Sequence, residues 1–243
     1  MNLETAQQQQ ITVSPGDKRN PAWGPEGRVA YQTSNHTLEW VQEGAAPSPW
    51  LAAWWPARDV AWSPDGSQVA FAKLRTDLVD QANVWVADAA GKEASMLTHE
   101  AGMQVSPAWS PDGVQMAYVG GQGYQHRDLY VVQARGGGLR QLTTDAAREF
   151  SPAWSPDGTR IAYGSDGTGD QEVWVIGADG ASSTRLPTSP GLDAHPTWSS
   201  DGQHLAFTTN RSGRLEIWVM RADGAEQRLL VQGAEGVCDP AWR

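Results

Sequence analysis

A tryptophan recurs at nearly even intervals along this chain, and the residues around it recur with it. The intervals are 39, 47, 45, 44 and 44 residues, and the repeated tryptophans are Trp23, Trp62, Trp109, Trp154, Trp198 and Trp242. Each of the first five opens the phrase Trp-Ser-Pro-Asp-Gly or a close variant of it. A period of about 40 to 45 residues indicates copies of one supersecondary unit, which cannot bury its apolar face alone. The units must therefore pack against one another.

Each unit contains the signals of four short β-strands. Pro and Gly in Ser-Pro-Asp-Gly favour a tight turn, and an alternating segment such as RIAYGS from Arg160 follows it. A second alternating segment, such as EVWVIG from Glu172, precedes an Ala-Asp-Gly turn and a short last strand near Arg185. No helical period competes with this alternation. Four antiparallel strands in a repeat of this length are typical of a propeller blade.

The repeat thus predicts an all-β fold, a β-propeller of four-stranded antiparallel blades with five full repeats plus a partial sixth blade formed by both chain ends. We expect a single β-propeller domain over residues 1–243, with repeat units starting near residues 20, 59, 106, 151 and 195. Residues 239–243 would join residues 1–19 in the partial unit, with the outermost strand at Gln10 to Val13. Shared ends close a propeller because they leave no strand edge exposed.

The partial blade would lack its two middle strands, and three arrangements stay open. The chain is a piece of a longer six-bladed protein, a five-bladed ring with redundant ends, or a propeller fragment whose open edge pairs with another copy to form a homo-oligomer. In all three, the repeated tryptophans and the aromatic residues that follow them should fill the wedges between blades.

Charge and composition exclude several classes of protein. The net charge is −10 and the pI is near 4.9, which argues against a nucleic-acid partner. No apolar run is long enough to span a membrane, and the N-terminus lacks the pattern of a secretory signal peptide. A single cysteine excludes an internal disulfide.

The segment PAWSPDGTRIAYGSDGTGDQEVWVIGADG, from Pro152, resembles the WD-repeat-like propeller unit of the TolB type. The same unit occurs in the propeller domains of the prolyl oligopeptidase family, and the resemblance extends over residues 11–243. It implies a six-bladed, non-enzymatic scaffold that presents its channel mouth to a protein or peptide in the periplasm or cell envelope. It also allows an accessory propeller detached from a larger enzyme, such as a prolyl-oligopeptidase-type serine peptidase.

Motifs for catalysis are missing from the sequence. There is no Gly-x-Ser-x-Gly elbow, no His-Glu-x-x-His and no paired Cys-x-x-Cys. We therefore expect no catalytic residues, no metal and no cofactor. The alternative is a catalytic propeller with metal or carboxylates in its channel, for which Asp59, His195 and Asp239 would be the candidates.

A polar residue stands three positions before each repeated tryptophan, at the entry to the innermost strand. These residues are Asn20, Asp59, Ser106, Ser151, His195 and Asp239. Innermost strands line the channel of a propeller, so we predict that the six side chains form a polar binding ring at one mouth. Their neighbours should surround that ring, namely Lys18, Arg19, Arg58, Arg148, Glu149 and Asp193. The alternative is that Asp, Asn and Ser before proline are solvated turn caps.

Three further tryptophans, Trp50, Trp54 and Trp55, lie near the outer strand of the first unit and have no counterpart in the others. Side chains alternate across a strand, so Trp54 and Trp55 should point to opposite sides. This predicts an exposed aromatic contact for a partner. The alternative is that these tryptophans cap an open sheet edge.

Overall fold

The structure is a computed structural model that describes residues 11–12, 17–50, 56–75, 81–123, 125–187, 189–232 and 239–242. The strands, in chain order, are β1 (Lys18–Trp23), β2 (Val29–Thr33), β3 (Leu38–Val41), β4 (Ser48–Trp50), β5 (Ala57–Trp62), β6 (Gln68–Leu74), β7 (Ala82–Asp88), β8 (Ser95–Met96), β9 (Met103–Trp109), β10 (Gln115–Gly121), β11 (Asp128–Gln133), β12 (Arg140–Gln141), β13 (Glu149–Trp154), β14 (Arg160–Ser165), β15 (Glu172–Gly177), β16 (Thr184–Arg185), β17 (Asp193–Trp198), β18 (His204–Thr209), β19 (Glu216–Arg221) and β20 (Arg228–Val231). One 3-10 turn covers Pro25–Gly27. Within the described ranges, no helix has the length and apolarity needed to cross a membrane.

The strands pair antiparallel in consecutive groups of four, which confirms the prediction of propeller blades. Blade 1 is β1 to β4, blade 2 is β5 to β8, blade 3 is β9 to β12, blade 4 is β13 to β16 and blade 5 is β17 to β20. The two alternating segments predicted from Arg160 and Glu172 are β14 and β15. Single parallel bridges link successive blades near the start of their inner strands, as between Ala82 and Met103.

In blades 2 to 5, the turn after the inner strand is held by its own serine and aspartate. In blade 2, Ser63 Oγ donates to Asp65 Oδ1 at 2.6 Å and accepts a hydrogen bond from Gln68 N at 2.9 Å. Gly66 follows with φ of +69°, a conformation that favours glycine. The hydrogen bond from Ser63, together with those from Ser67, lowers the pKa of Asp65 to about 2. Asp65 is therefore ionised at neutral pH.

The repeated tryptophans join each blade to the one before it, as the sequence predicts. Trp154 is 9% exposed and packs against Val119 and Val131 of blade 3. Its Nε1 donates to Ala108 O at 3.1 Å, which satisfies the buried indole N–H. The same bond recurs at four other blade contacts, in the pairs Trp23 with Ala241, Trp109 with Ala61, Trp198 with Ala153, and Trp242 with Thr197.

Trp62 departs from this pattern at the contact between blades 1 and 2. Its indole stacks on Trp50, with ring centroids 4.7 Å apart and an interplanar angle of 20°. Its buried Nε1 has no hydrogen-bond partner among the described residues. A Cβ on Gly24 would lie 2.4 Å from the Trp62 ring, so glycine stands here where other units have serine.

The described C-terminal segment, residues 239–242, lies between blade 5 and blade 1. Trp242 Nε1 donates to Thr197 O of blade 5, while Trp23 Nε1 of blade 1 donates to Ala241 O at 3.3 Å. The segment thus takes the innermost position predicted for it, although it pairs with no described strand. Of the predicted outer strand at Gln10 to Val13, only Ile11 and Thr12 are described, and neither lies in a strand.

Candidate functional site

The backbone is left-handed at all six positions of the predicted polar ring. The φ angles are +50° at Asn20, +56° at Asp59, +54° at Ser106, +50° at Ser151, +51° at His195 and +57° at Asp239. In the five full blades the pairing register shifts at this point, as expected for a β-bulge. Asn, Asp and His tolerate a positive φ better than most residues. The bulge therefore accounts for small polar residues here, whatever they bind.

Contacts join five of these six side chains around the mouth. Asn20 Nδ2 donates to Asp59 Oδ1, and Ser106 donates to Asp59 Oδ2 from its backbone N at 3.1 Å and from Oγ at 3.2 Å. On the other side, Asn20 N donates to Asp239 Oδ2 at 3.2 Å. His195 Nδ1 lies 3.2 Å from Asp239 Oδ1. Neighbouring inner strands thus fix one another's polar side chains.

Below the ring, the channel is lined by prolines and small residues. A cavity of about 600 Å³ runs between the inner strands, and it includes Ser151, the sixth member of the ring. Its wall continues from the ring into a layer of prolines and then a layer of small residues. The prolines are Pro21, Pro107, Pro152, Pro196 and Pro240, and the small residues are Ala22, Ala61, Ala108, Ala153, Thr197 and Ala241. The channel can therefore accept a small side chain behind the polar entrance.

Above the ring, a second cavity of about 680 Å³ forms the mouth. Its wall includes four of the predicted ring residues and three of the predicted neighbours, namely Asn20, Asp59, His195, Asp239, Lys18, Arg19 and Arg58. It also includes residues that the sequence did not indicate, Gln32, His36, Leu192 and Leu215. Gln32 Nε2 and His36 Nδ1 are 2.9 Å apart. These four residues lie in or next to segments whose length differs between the repeat units, so the repeat does not predict their positions.

Three of the predicted contact residues, Glu149, Asp193 and Trp50, have buried side chains. Glu149 and Asp193 are 1% and 0% exposed, so they lie inside the protein and do not surround the ring. Arg148 Nε lies 3.5 Å from Asp166 Oδ2. Trp50 is 5% exposed and stacked on Trp62, so it offers no exposed aromatic contact. Trp54 and Trp55 lie outside the described residues.

Glu149 is a buried carboxyl group that forms no ion pair with any described residue. Ser165 Oγ donates to its Oε1 at 3.3 Å, and its Oε2 has no hydrogen-bond partner among the described residues. Burial, reinforced by the nearby carboxylate of Asp145, raises the pKa of Glu149 to about 8. The equivalent carboxylate in blade 5 is Asp193, which has Arg211 beside it, whereas blade 4 has Gly167 at the Arg211 position.

This predicts that stability falls as pH rises through the neutral range. The folded protein keeps a proton on Glu149 up to about pH 8, while the unfolded chain loses it near the ordinary pKa. We expect Glu149→Gln to match wild type near pH 4.5 and to exceed its unfolding free energy by about 2 to 4 kcal/mol at pH 8. Urea denaturation across that range measures the slope. Glu93→Gln, at an exposed glutamate, is the control; equal slopes in all three proteins would contradict the assignment.

The described residues contain no group of three His, Cys, Asp or Glu side chains that converges as a metal site. At the mouth, His195 Nδ1 lies 3.2 Å from Asp239 Oδ1, and the Asp59 carboxylate accepts hydrogen bonds from Asn20 and Ser106. The geometry is that of a polar collar over a channel of prolines and small residues.

Comparison with known proteins agrees with this architecture. The family description "TolB beta propeller domain" matches residues 57–149 and again residues 145–242. The chain belongs to the TolB β-propeller family. Two TolB structures resemble the chain, and at their level of identity the likeness concerns the fold. The putative TolB from Agrobacterium tumefaciens has a TM-score of 0.88 at 23% identity, covering 99% of this chain and 91% of that one. TolB from Acinetobacter baumannii has a TM-score of 0.75 at 22% identity, covering 87% and 54%.

Two other proteins similar to this chain have different descriptions. A curated Bacillus subtilis (strain 168) protein, "uncharacterized peptidase YuxL", is 32% identical over 105 residues, and the match spans 39% of this chain but only 16% of that protein. A puromycin-hydrolyzing peptidase from Mycobacterium tuberculosis has a TM-score of 0.66 at 18% identity, covering 98% of this chain and 43% of that one. The repeat therefore occurs in proteins of more than one kind.

Proposed function

We propose that this TolB-family propeller is a non-enzymatic scaffold that binds a peptide segment of a protein partner at its channel mouth. The observation that carries the proposal is the collar of Asn20, Asp59, Ser106, His195 and Asp239, which leads from a mouth cavity of about 680 Å³ into a channel lined by prolines and small residues. Binding sites commonly combine apolar walls with a few placed polar groups. An extended segment could put one apolar side chain into the channel while its backbone meets the collar.

The mutual contacts of the collar support binding rather than catalysis. The carboxylates of Asp59 and Asp239 already accept hydrogen bonds, and His195 lies against Asp239. Such pre-arranged groups lose little freedom when a ligand arrives, which favours affinity. The resemblance to TolB-type propellers supports a periplasmic or cell-envelope setting and a protein as the partner. We further propose that residues 1–243 act as a single propeller domain.

A pair of matched substitutions in blade 5 tests the mouth. Leu215 is 36% exposed and lines the mouth cavity, whereas Leu229 is 41% exposed on the outermost strand. For peptides selected from a random library on immobilised wild-type protein, we expect Leu215→Glu to weaken binding at least about tenfold, because it places a charge at the entrance. Leu229→Glu should leave the affinity unchanged within about twofold.

Calorimetric titration of the selected peptides measures both variants. Equal affinity for wild type and Leu215→Glu would place the site elsewhere. Failure of the library to yield any peptide that discriminates between the two variants would also contradict peptide binding at the mouth.

An accessory propeller of a larger peptidase is the second candidate. The matches to a Bacillus subtilis peptidase and to a puromycin-hydrolyzing peptidase favour it, since each of those proteins extends well beyond the matched part. In that case the mouth would filter peptide substrates. Sequencing the gene on both sides of this segment decides between the candidates: a Gly-x-Ser-x-Gly region in the same reading frame would establish the peptidase alternative.

A further inference from the structure

Arginine side chains fill two of the grooves between blades on the face opposite the mouth. Between blades 3 and 4, Arg140 at the start of β12 reaches across the gap. Its Nη2 lies 3.0 Å from Ala178 O of blade 4 and 3.4 Å from Gln115 Oε1 of its own blade. Between blades 4 and 5, the guanidinium of Arg160 at the start of β14 lies 4.7 Å from the ring centroid of Trp198. Both grooves thus contain a guanidinium group.

The groove between blades 2 and 3 contains neither arginine. Ser95, at the start of β8, takes the position of Arg140, since Ser95 pairs with Val86 as Arg140 pairs with Val131. Gln68, at the start of β6, takes the position of Arg160. Two adjoining cavities of about 730 and 560 Å³ remain, and both have Asp65, Gln68, Ala134 and Arg135 in their walls. We call this the blade 2–3 groove.

The groups that hold arginine in the filled grooves recur around the blade 2–3 groove. Ala134 directly follows β11 as Ala178 follows β15, so Ala134 O corresponds to the carbonyl that Arg140 contacts. The Gln68 amide corresponds to that of Gln115, and Trp109, which lines the larger cavity, corresponds to Trp198. The wall therefore offers acceptors for a guanidinium and an aromatic ring on which it can lie.

We propose that the blade 2–3 groove binds an arginine side chain presented by a partner protein. Asp65 supplies the opposite charge at the rim, on an exposed turn beside Gln68. Arginine fits better than lysine because its planar guanidinium can meet two acceptors, as Arg140 does, or lie on a ring, as Arg160 does. The groove is on the face opposite the channel mouth, so this interaction is separate from peptide binding there.

Arg135 and His99 also line the groove, and the charge of Arg135 limits how tightly the groove can bind a cation. Arg135 stands in the turn after β11, where blade 4 has Asp179, and it repels an incoming cation. His99 lines the smaller cavity. We therefore expect the arginine to bind about threefold more tightly in the Arg135→Ala variant.

Two substitutions, each of which gives one blade the residue of the other, test the proposal through the number of arginine-binding sites. The probe is the peptide Gly-Gly-Arg-Gly-Gly, blocked at both ends, with Gly-Gly-Lys-Gly-Gly as its control. Because the contacts are exposed, binding should be millimolar and is best measured by NMR titration at low salt. Wild type should show one site, Ser95→Arg none, and Arg140→Ser two, since that exchange empties the groove between blades 3 and 4. Ser95 and Arg140 are both exposed, so thermal denaturation should show that the variants remain folded.

Each alternative outcome argues against the proposal. Equal binding of the lysine peptide would mean a general cation surface, and unchanged binding by Ser95→Arg would place the arginine elsewhere. Free L-arginine binding more than about tenfold tighter than the peptide would identify a small metabolite as the ligand instead of a protein side chain. No shift of the Trp109 indole signals at any peptide concentration would overturn the site itself.

Discussion

Trp154→Ala is expected to lower the free energy of unfolding by about 3 to 5 kcal/mol, the usual effect of removing a large aromatic side chain from a core. Trp154 fills the wedge between blades 3 and 4, where it contacts side chains of both and is 9% exposed. Its loss also leaves Ala108 O without the indole donor. Urea denaturation followed by circular dichroism measures the change.

Trp154→Phe is the matched control. Phenylalanine keeps an aromatic ring in the wedge but cannot donate to Ala108 O, so it should cost about 1 to 2 kcal/mol. A loss below about 1 kcal/mol for the alanine variant would show that blade packing does not depend on this tryptophan.

Asp193→Asn should destabilise the protein by about 3 kcal/mol, because it breaks a buried ion pair and leaves one charge behind. Asp193 Oδ1 lies 3.3 Å from Arg211 Nη2, and the side chains are 0% and 15% exposed. Asp193 Oδ2 also accepts a hydrogen bond from Ser189 N at 3.0 Å. Burial raises the pKa of Asp193, while its hydrogen bonds and Arg211 oppose that shift. Urea denaturation of wild type and variant at pH 8 measures the change.

Glu149→Gln, measured at the same pH, should change the free energy of unfolding in the opposite direction. Both residues begin the inner strand of a blade and both are buried, but of the two only Asp193 forms an ion pair with an arginine in the described part of the chain. Removing the charge should therefore destabilise blade 5 and stabilise blade 4. If both substitutions changed the free energy of unfolding in the same direction, Arg211 would not be the cause of the difference between the two sites.

The fold could be predicted because its determinants repeat in the sequence. The tryptophan period gives the blades, and Ser-Pro-Asp-Gly gives the turn that the hydrogen bonds of Ser63 and Asp65 hold in place. The polar ring could be located because the same offset from each tryptophan selects equivalent points on every inner strand. Its function could not, since the bulge alone accounts for Asn, Asp, Ser and His at those points.

Contacts between blades explain most of what the sequence did not reveal. Whether Glu149 or Asp193 faces the mouth or the interior depends on how the inner strand rotates at its bulge, which no periodic pattern reports. The position of the Trp62 indole depends on two residues of blade 1: Gly24 leaves room for the ring, and Trp50 stacks on it. The blade 2–3 groove differs from the filled grooves because Ser95 and Gln68 take the positions of Arg140 and Arg160. These two residues are far apart in the chain, and only the comparison of the grooves shows their joint effect.

The left-handed backbone of the ring also limits how the mouth can evolve. A β-branched or bulky apolar residue at any of the six positions would have to adopt a positive φ that such residues strongly disfavour. Amino-acid substitutions at these six positions are therefore limited to small polar residues, histidine and glycine. Homologues with the same bulges can exchange one hydrogen-bonding pattern for another, but they cannot easily turn the entrance into an apolar one, so new specificities must arise mainly from the surrounding loops.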